Sequence, residues 1–252
     1  MQSERITDLL AEDNIDLLTF ETIDSTNAAA KRLVEAGAIR RTTALIANEQ
    51  TAGYGRYGRN FYSPNAKGLY LTVVKEIDIQ TVNAGLITTG IATMIAEGLS
   101  EQLKIEVGIK WVNDLYYQQR KVAGILVEQQ ADFLIIGIGI NLLADRYPAE
   151  LRKKVGSLFQ AESFDFEQLT SALILKTIKY FSLDPVDVLK RYRSRSLVIG
   201  AQVELLVDRT VLRGVVLAIN DQGGLVVDLD HQVRTFYSGE ITKLFMTDWV
   251  VS

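Results

Sequence analysis

From Leu197 onward the chain breaks into short alternating segments, "AQVELLV", "TVLRGVVLAI", "GLVVDL" and "QVRTFYS", separated by turn chemistry such as "NDQGG". Just ahead of them, "SFDFEQLTSALILKTIKYFSL" and the segment opened by Asp184-Pro185 carry apolar residues at helical spacing. This change of period constrains the fold more than any other feature, because one hydrophobic pattern cannot serve both geometries. It predicts two units, residues 1–195 and residues 196–252, with no low-complexity linker between them. The second unit is too small for a sandwich and reads as a small barrel-like β module of about 55 residues.

The first unit interleaves strands and helices. "LLTFETI", "TTALIANE" and "GLYLTVVKE" read as strands. Between the first two, "DSTNAAAKRLVEAG" reads as a helix with a Ser/Asp/Asn cap and a terminal glycine at Gly37. "IQTVNAGLITTGIATMIAEGLSEQL" is the longest predicted helix. "IEVGIKW", "KVAGILVEQQ" and "DFLIIGIGINLL" are three further strands, the last two spaced to pair as a hairpin, and "WVNDLYYQQR" reads as a polar turn.

With 48% hydrophobic and 23% charged residues, the 252-residue chain is able to bury a large core. A net charge of −4 argues against a general nucleic-acid binder. There is no cysteine, so disulfides, thiolate metal sites and cysteine nucleophiles are excluded. The single histidine, His231, leaves little basis for a Ser-His-Asp triad or a multi-histidine metal centre. The first residues lack the apolar core of a signal peptide, and no apolar run reaches the roughly 20 residues needed to span a bilayer. The expected location is the cytoplasm, with no membrane partner.

The stretch "QTAGYGRYGRNFYSP" stands apart. Gly53, Gly55 and Gly58 disfavour both helix and strand, while Arg56 and Arg59 are planar, permanently charged donors suited to carboxylates and phosphates. A flexible cationic loop of this kind either solvates itself or closes over an anion. Other polar clusters fall at the ends of strand-like segments: Ser25-Thr26-Asn27, Gln50, Lys110 to Asp114, Lys121 to Gly124, and Gly139 to Asn141. Taken singly, each has a structural explanation. Ser25 and Asn27 are helix-cap material, "VNDL" is turn chemistry, Lys121 is an ordinary solvated charge, and "GIGIN" lacks the third glycine of a dinucleotide fingerprint.

Together and in order, "DSTN", "GYGRYGRNF", "KWVND", "RKVAGILVE" and "GIGIN" resemble the bacterial biotin protein ligases, that is, biotin–[acetyl-CoA-carboxylase] ligases. In that family the second motif has the form G-R-G-R-x-G-R-x-W and the third K-W-P-N-D. Here Tyr54 stands for the first arginine, Phe61 for the tryptophan and Val112 for the proline. The resemblance implies an α+β fold: a class II synthetase-like catalytic domain, with a mixed β-sheet and flanking helices, plus a small C-terminal SH3-like β-barrel. It implies that biotin and ATP give biotinoyl-5′-AMP and pyrophosphate, and that biotin then passes to a lysine of a biotin carboxyl carrier protein of acetyl-CoA carboxylase or a similar carboxylase.

On the same basis Lys121, Arg56 and Arg59 are the expected catalytic residues. Ser25, Thr26, Asn27, Gln50, Gly53, Lys121 and Gly124 are expected to hold biotin. Arg56, Arg59, Phe61, Lys110, Asn113, Asp114 and Asn141 are expected to hold ATP, with Asp114 and Asn141 as candidates for Mg²⁺. A homodimer is compatible with the family. The short segment before Asp24 leaves no room for the helix-turn-helix of the repressor members, so no specific DNA binding is expected. Two other readings compete. A lipoate ligase shares the fold and the adenylation chemistry, but its signature includes a histidine, and none precedes His231. An RNA-binding module would use the arginines and aromatics of "YGRYGRNFY".

Overall fold

The computed structural model describes residues 3–78, 84–143, 147–161 and 164–245. A seven-stranded mixed sheet organises the first two-thirds of the chain, in the order β1-β2-β3-β7-β6-β5-β4. Its strands are β1 (Asp16–Ile23), β2 (Thr43–Gln50), β3 (Gly68–Glu76), β4 (Gly108–Lys110), β5 (Asp114–Tyr117), β6 (Arg120–Gln130) and β7 (Phe133–Asn141). Only β1 and β2 run parallel, joined through the crossover helix α2 (Thr26–Glu35), and every other neighbour is antiparallel. A second sheet follows, built from β8 (Gln202–Val207), β9 (Thr210–Ile219), β10 (Leu225–Leu229), β11 (Gln232–Phe236) and β12 (Glu240–Phe245).

The period-2 rule explains how the first sheet is covered on both faces. Ala44 and Ile46 of β2, Val73 of β3, and Leu134 and Ile136 of β7 point into the main core. Their neighbours Leu45, Val74 and Ile135 point to the opposite face, where Ala29, Ala30 and Val34 of α2 cover them. On the main-core face lies α3 (Ala84–Leu103), backed by α4 (Phe166–Lys179) and α5 (Pro185–Ser194). The helix α1 (Ser3–Leu9) packs against α4 and buries Ile6 in the same core. Burying a large aliphatic side chain is worth about 1.5–3 kcal/mol, and the core that the two sheets share ties them together.

The expected C-terminal barrel is not formed. The second sheet is open, in the order β11-β10-β9-β8-β12, with β11 and β12 at opposite edges and no ladder between them. Alternation and turn chemistry specify hairpins, but closure also requires tilt and stagger that bring the last strand to the first. Here β12 pairs with β8 instead, and residues 232–235 of β11 are exposed. One face of this sheet joins the main core through Val203, Leu205, Val216, Leu225 and Val227. The indole of Trp111 donates to the Gly223 carbonyl at 3.0 Å, and Ile109 and Leu197 complete the junction with backbone hydrogen bonds.

The "WVNDLYYQQR" segment also differs from a plain turn, because Asp114–Tyr117 is strand β5. It pairs with β6 across a hairpin whose two corner residues, Gln118 and Gln119, both have positive φ. Two-residue hairpins need that geometry, and Asn-Gly is its usual signature. Glutamines conceal it. Among the described residues no helix is long and apolar enough to cross a membrane.

Candidate active site

A cleft of about 1020 Å³ opens on the α2 face of the large sheet. It is lined by every residue expected to hold biotin or ATP except Gly53. Its lining includes Gly124, Gly137 and Gly139 on β6 and β7, where the missing side chains make room for Lys121, Asn27 and Phe61 respectively.

One end of the cleft is a neutral hydrogen-bond network. Ser25 caps α2 and accepts from the Ala28 N–H at 3.5 Å, which fixes the helix start. Gln50, at the end of β2, accepts through Oε1 from the Thr26 N–H at 2.9 Å and the Thr26 hydroxyl at 3.1 Å. Its Nε2 donates to Ser63 Oγ at 2.9 Å. Ser25, Thr26 and Asn27 are all buried. Their positions therefore depend on these bonds, because unpaired buried polar groups are costly. A Cβ on Gly53 would lie 2.7 Å from Ser63 Oγ and 2.8 Å from both Gln50 Nε2 and the Phe61 carbonyl. Gly53 thus lets the loop lie close against Gln50.

The glycine–arginine segment is a small hairpin. The Phe61 N–H donates to the Gly53 carbonyl and the Gly55 N–H to the Arg59 carbonyl, each at 2.8 Å, around a 3-10 turn at Arg56–Gly58. The side chains tether it. Arg56 donates to Asn113 Oδ1 at 3.3 Å and to the Gly239 carbonyl at 3.2 Å, and Arg59 forms an ion pair with Glu240. The ring of Phe61 lies over Gly139, where a Cβ would come within 2.5 Å of it, and meets Tyr70 edge-on at 6.4 Å. Tyr54 turns the other way and donates to Glu128 Oε2 at 2.9 Å.

The opposite end gathers charge. Lys121 pairs with Asp114 at 2.6 Å, and a Cβ on Gly124 would sit 3.3 Å from its Nζ. Lys110 lies 3.3 Å from the Tyr116 hydroxyl. Burial lowers its pKa; Asp114 opposes that shift and the nearby Lys121 adds to it. Burial pushes the Tyr116 phenol up, reinforced by Asp114 and Glu240. Asn113 donates to the Ile125 carbonyl at 2.8 Å, which locks its amide, and Asn141 is buried at the end of β7. Among the described residues no three histidine, cysteine or carboxylate side chains converge as a metal site.

Four contributors have no sequence signal of their own. Glu128 lies inside β6, Lys31 on the flank of α2, Tyr116 on β5, and Glu240 on the edge strand of the second sheet. Each reads as an ordinary strand or surface residue until the chain is folded.

Comparison with known proteins agrees with this arrangement. Residues 19–142 match the biotin/lipoate A/B protein ligase family, and residues 198–244 match the biotin protein ligase C-terminal domain. The bifunctional ligase/repressor BirA of Salmonella typhimurium is 30% identical, over 96% of this chain and 78% of its own length. The biotin–[acetyl-CoA-carboxylase] ligase of Mycobacterium tuberculosis is 29% identical, over 87% of this chain and 86% of its own. The structure of the Aquifex aeolicus biotin protein ligase in complex with biotin and ATP superposes with a TM-score of 0.80 at 26% identity, covering 90% of this chain and 97% of that one. By sequence and by fold, this chain belongs to the biotin protein ligase family.

Proposed function

We infer that the cleft carries both half-reactions of an ATP-dependent biotin ligase. The chain activates biotin with ATP to biotinoyl-5′-AMP and transfers the biotinoyl group to a carrier protein. In the first step a biotin carboxylate oxygen attacks the α-phosphorus and pyrophosphate leaves. In the second, the amine of the acceptor lysine attacks the acyl carbonyl, AMP leaves, and the amine loses a proton as the amide forms. The observation that carries this reading is one cleft with a neutral hydrogen-bond network at one end and cationic side chains, among them Arg56, Arg59, Lys110 and Lys121, at the other.

The main barrier to the first step is repulsion between a carboxylate and a phosphate. Lys121, freed from Asp114, bridges the biotin carboxylate and the α-phosphate, and its charge counts for more as the cleft excludes water. Arg56 and Arg59 clamp the phosphate oxygens with their planar forks. Ser25, Thr26 and Gln50 address the polar ureido head of biotin, with Asn27 beside them and Gly53 and Gly124 keeping backbone close. Lys110, Asn113, Asn141 and the ring of Phe61 serve the nucleotide.

The donor set does not make a resident metal site, since among the described residues no three histidine, cysteine or carboxylate side chains converge on Asp114. Magnesium would enter with the ATP that it accompanies. Residues 1–195 form the biotin- and ATP-binding unit, and residues 196–252 a C-terminal unit that closes the cleft with Glu240. The acceptor is the biotin carboxyl carrier domain of acetyl-CoA carboxylase or a similar carboxylase, and dependence on ATP places the reaction in the cytoplasm. Biotin-dependent exchange of pyrophosphate into ATP tests the assignment. Exchange that proceeds equally without biotin would overturn it.

A further inference from the structure

The neutral end of the cleft rests on a charged side chain behind its wall. Glu128 accepts at once from Asn27 Nδ2 at 3.0 Å, from the Tyr54 hydroxyl at 2.9 Å and from Lys31 Nζ at 2.5 Å. Asn27 and Tyr54 line the cleft, whereas Glu128 and Lys31 do not. The other side of the Asn27 amide, Oδ1, lies 2.6 Å from the Thr72 hydroxyl. That amide fills the space above Gly137, where a Cβ would come within 2.4 Å of it. Asn27 therefore has one orientation available. Lys31 sits 5.6 Å from the centre of the Tyr54 ring, so it also closes the back of the tyrosine.

We propose that Glu128 is a positioning residue for biotin. It fastens the start of α2 to the glycine–arginine hairpin through Asn27 and Tyr54, and Lys31 is its counter-charge. The proposal rests on the ligase reading and adds what makes the biotin end rigid. Burial raises the Glu128 carboxyl, but hydrogen bonds from Lys31, Asn27 and Tyr54 outweigh it and hold the group below its usual range. Burial and the Glu128 contact raise the Tyr54 phenol. The acceptor stays ionised and the donor stays protonated, as the clamp requires. It also gives Tyr54 a task. The residue that replaces the family's first loop arginine anchors the hairpin to β6 through its hydroxyl, beside a lysine supplied by the helix.

The test is a double-mutant cycle on biotin-dependent ATP–pyrophosphate exchange, with KM measured for biotin and for ATP. Glu128→Ala should raise the biotin KM about tenfold or more and leave the ATP KM within about twofold, since only one end of the cleft loses its support. Tyr54→Phe should raise the biotin KM about threefold to tenfold by itself, the range of one ordinary hydrogen bond, since it acts on biotin only through Asn27 and the hairpin. In the Glu128→Ala background it should have no further effect, because the acceptor is already gone. Glu128→Gln, which keeps the shape and one acceptor, should fall between wild type and alanine and serves as the variant if alanine fails to fold. Additive effects of the two substitutions, or equal rises in both KM values, would overturn the proposal. A wild-type protein without biotin-dependent exchange would instead remove the ligase reading itself.

Discussion

The two ends of the cleft are organised by different physics. At the biotin end, Thr26 and Gln50 are joined by neutral hydrogen bonds, and the carboxylates that support their neighbours, Asp24 at the Ser25 N–H and Glu128 at the Asn27 amide, do not line the cleft. At the phosphate end three cations are occupied by partners within the protein itself: Lys121 by Asp114, Arg59 by Glu240, Arg56 by Asn113 and the Gly239 carbonyl. A neutral ligand head needs a site already in shape, because each unpaired buried donor or acceptor costs about 1–3 kcal/mol. A polyanion can displace weaker internal anions, so its cations can wait in ion pairs. The first end is built to be filled, and the second to be exchanged.

The largest expected effect lies at the phosphate end. Lys121→Ala should lower the exchange rate by about a hundredfold or more, the scale of losing one group that stabilises developing charge. The melting temperature should barely move, since Lys121 is a half-buried side chain whose lost partner, Asp114, still reaches water. Normal exchange at an unchanged melting temperature would remove Lys121 from the chemistry.

Next comes the contrast between Arg56 and Tyr54 in affinity for biotinoyl-5′-AMP. Arg56→Ala should weaken binding by more than about tenfold, or about 1.4 kcal/mol. Tyr54→Arg should change it by less than that, because its side chain points to Glu128 and Lys31 rather than to the phosphates. Calorimetry with the adenylate distinguishes them. A hundredfold gain for Tyr54→Arg would mean that this position acts by charge on the ligand.

Gly53→Ala probes the biotin end by crowding it. The new methyl meets Ser63, Gln50 and the Phe61 carbonyl, two of them side chains and one backbone. Chemical denaturation should show a loss of about 1–3 kcal/mol, the usual cost of overpacking. The biotin KM should rise with it while the ATP KM holds. An unaltered midpoint would mean that the hairpin relaxes freely, and the rigid end of the comparison would lose its basis.

The smallest effect should come from Glu240→Gln, which releases Arg59 without changing the shape of the strand. A partly exposed ion pair is worth about 0–1 kcal/mol, so the ATP KM should fall by no more than about fivefold. A rise would show that Glu240 helps to hold the nucleotide and is not merely the anion that it displaces.

Much of this site was legible before any coordinates. The Ser25 cap, the Gly37 stop and the β6–β7 hairpin follow from local chemistry and appear as expected. Ser25, Gln50, Arg56 and Asn141 reach the cleft because they close or follow β1, β2 and β7 at one end of the sheet, where Lys121 opens the antiparallel β6. The short strands β4 and β5 bring Lys110 and Asn113 to the same cleft. Gly53 was expected at the ligand; it is not among the residues that line the cleft, and a Cβ there would meet Gln50, Ser63 and Phe61. Glycine declares that something comes close and does not declare what. Strand β5 was concealed by corner glutamines at positive φ, and the barrel failed because alternation describes faces, whereas closure depends on which strands meet.

The sequence by itself determined the segments, their buried faces and the residue types that handle a carboxylate and a phosphate. Those properties depend on neighbours a few positions away, through helical and strand periods and turn geometry. Only the tertiary structure decided the partnerships: Glu128 with Asn27 and Tyr54, Arg59 with Glu240, and an open second sheet packed on the core of the first. Those contacts join residues separated by 74 to 181 positions, and no local preference encodes them. They follow from how two sheets and a crossover helix fill one volume, which is a property of the whole chain.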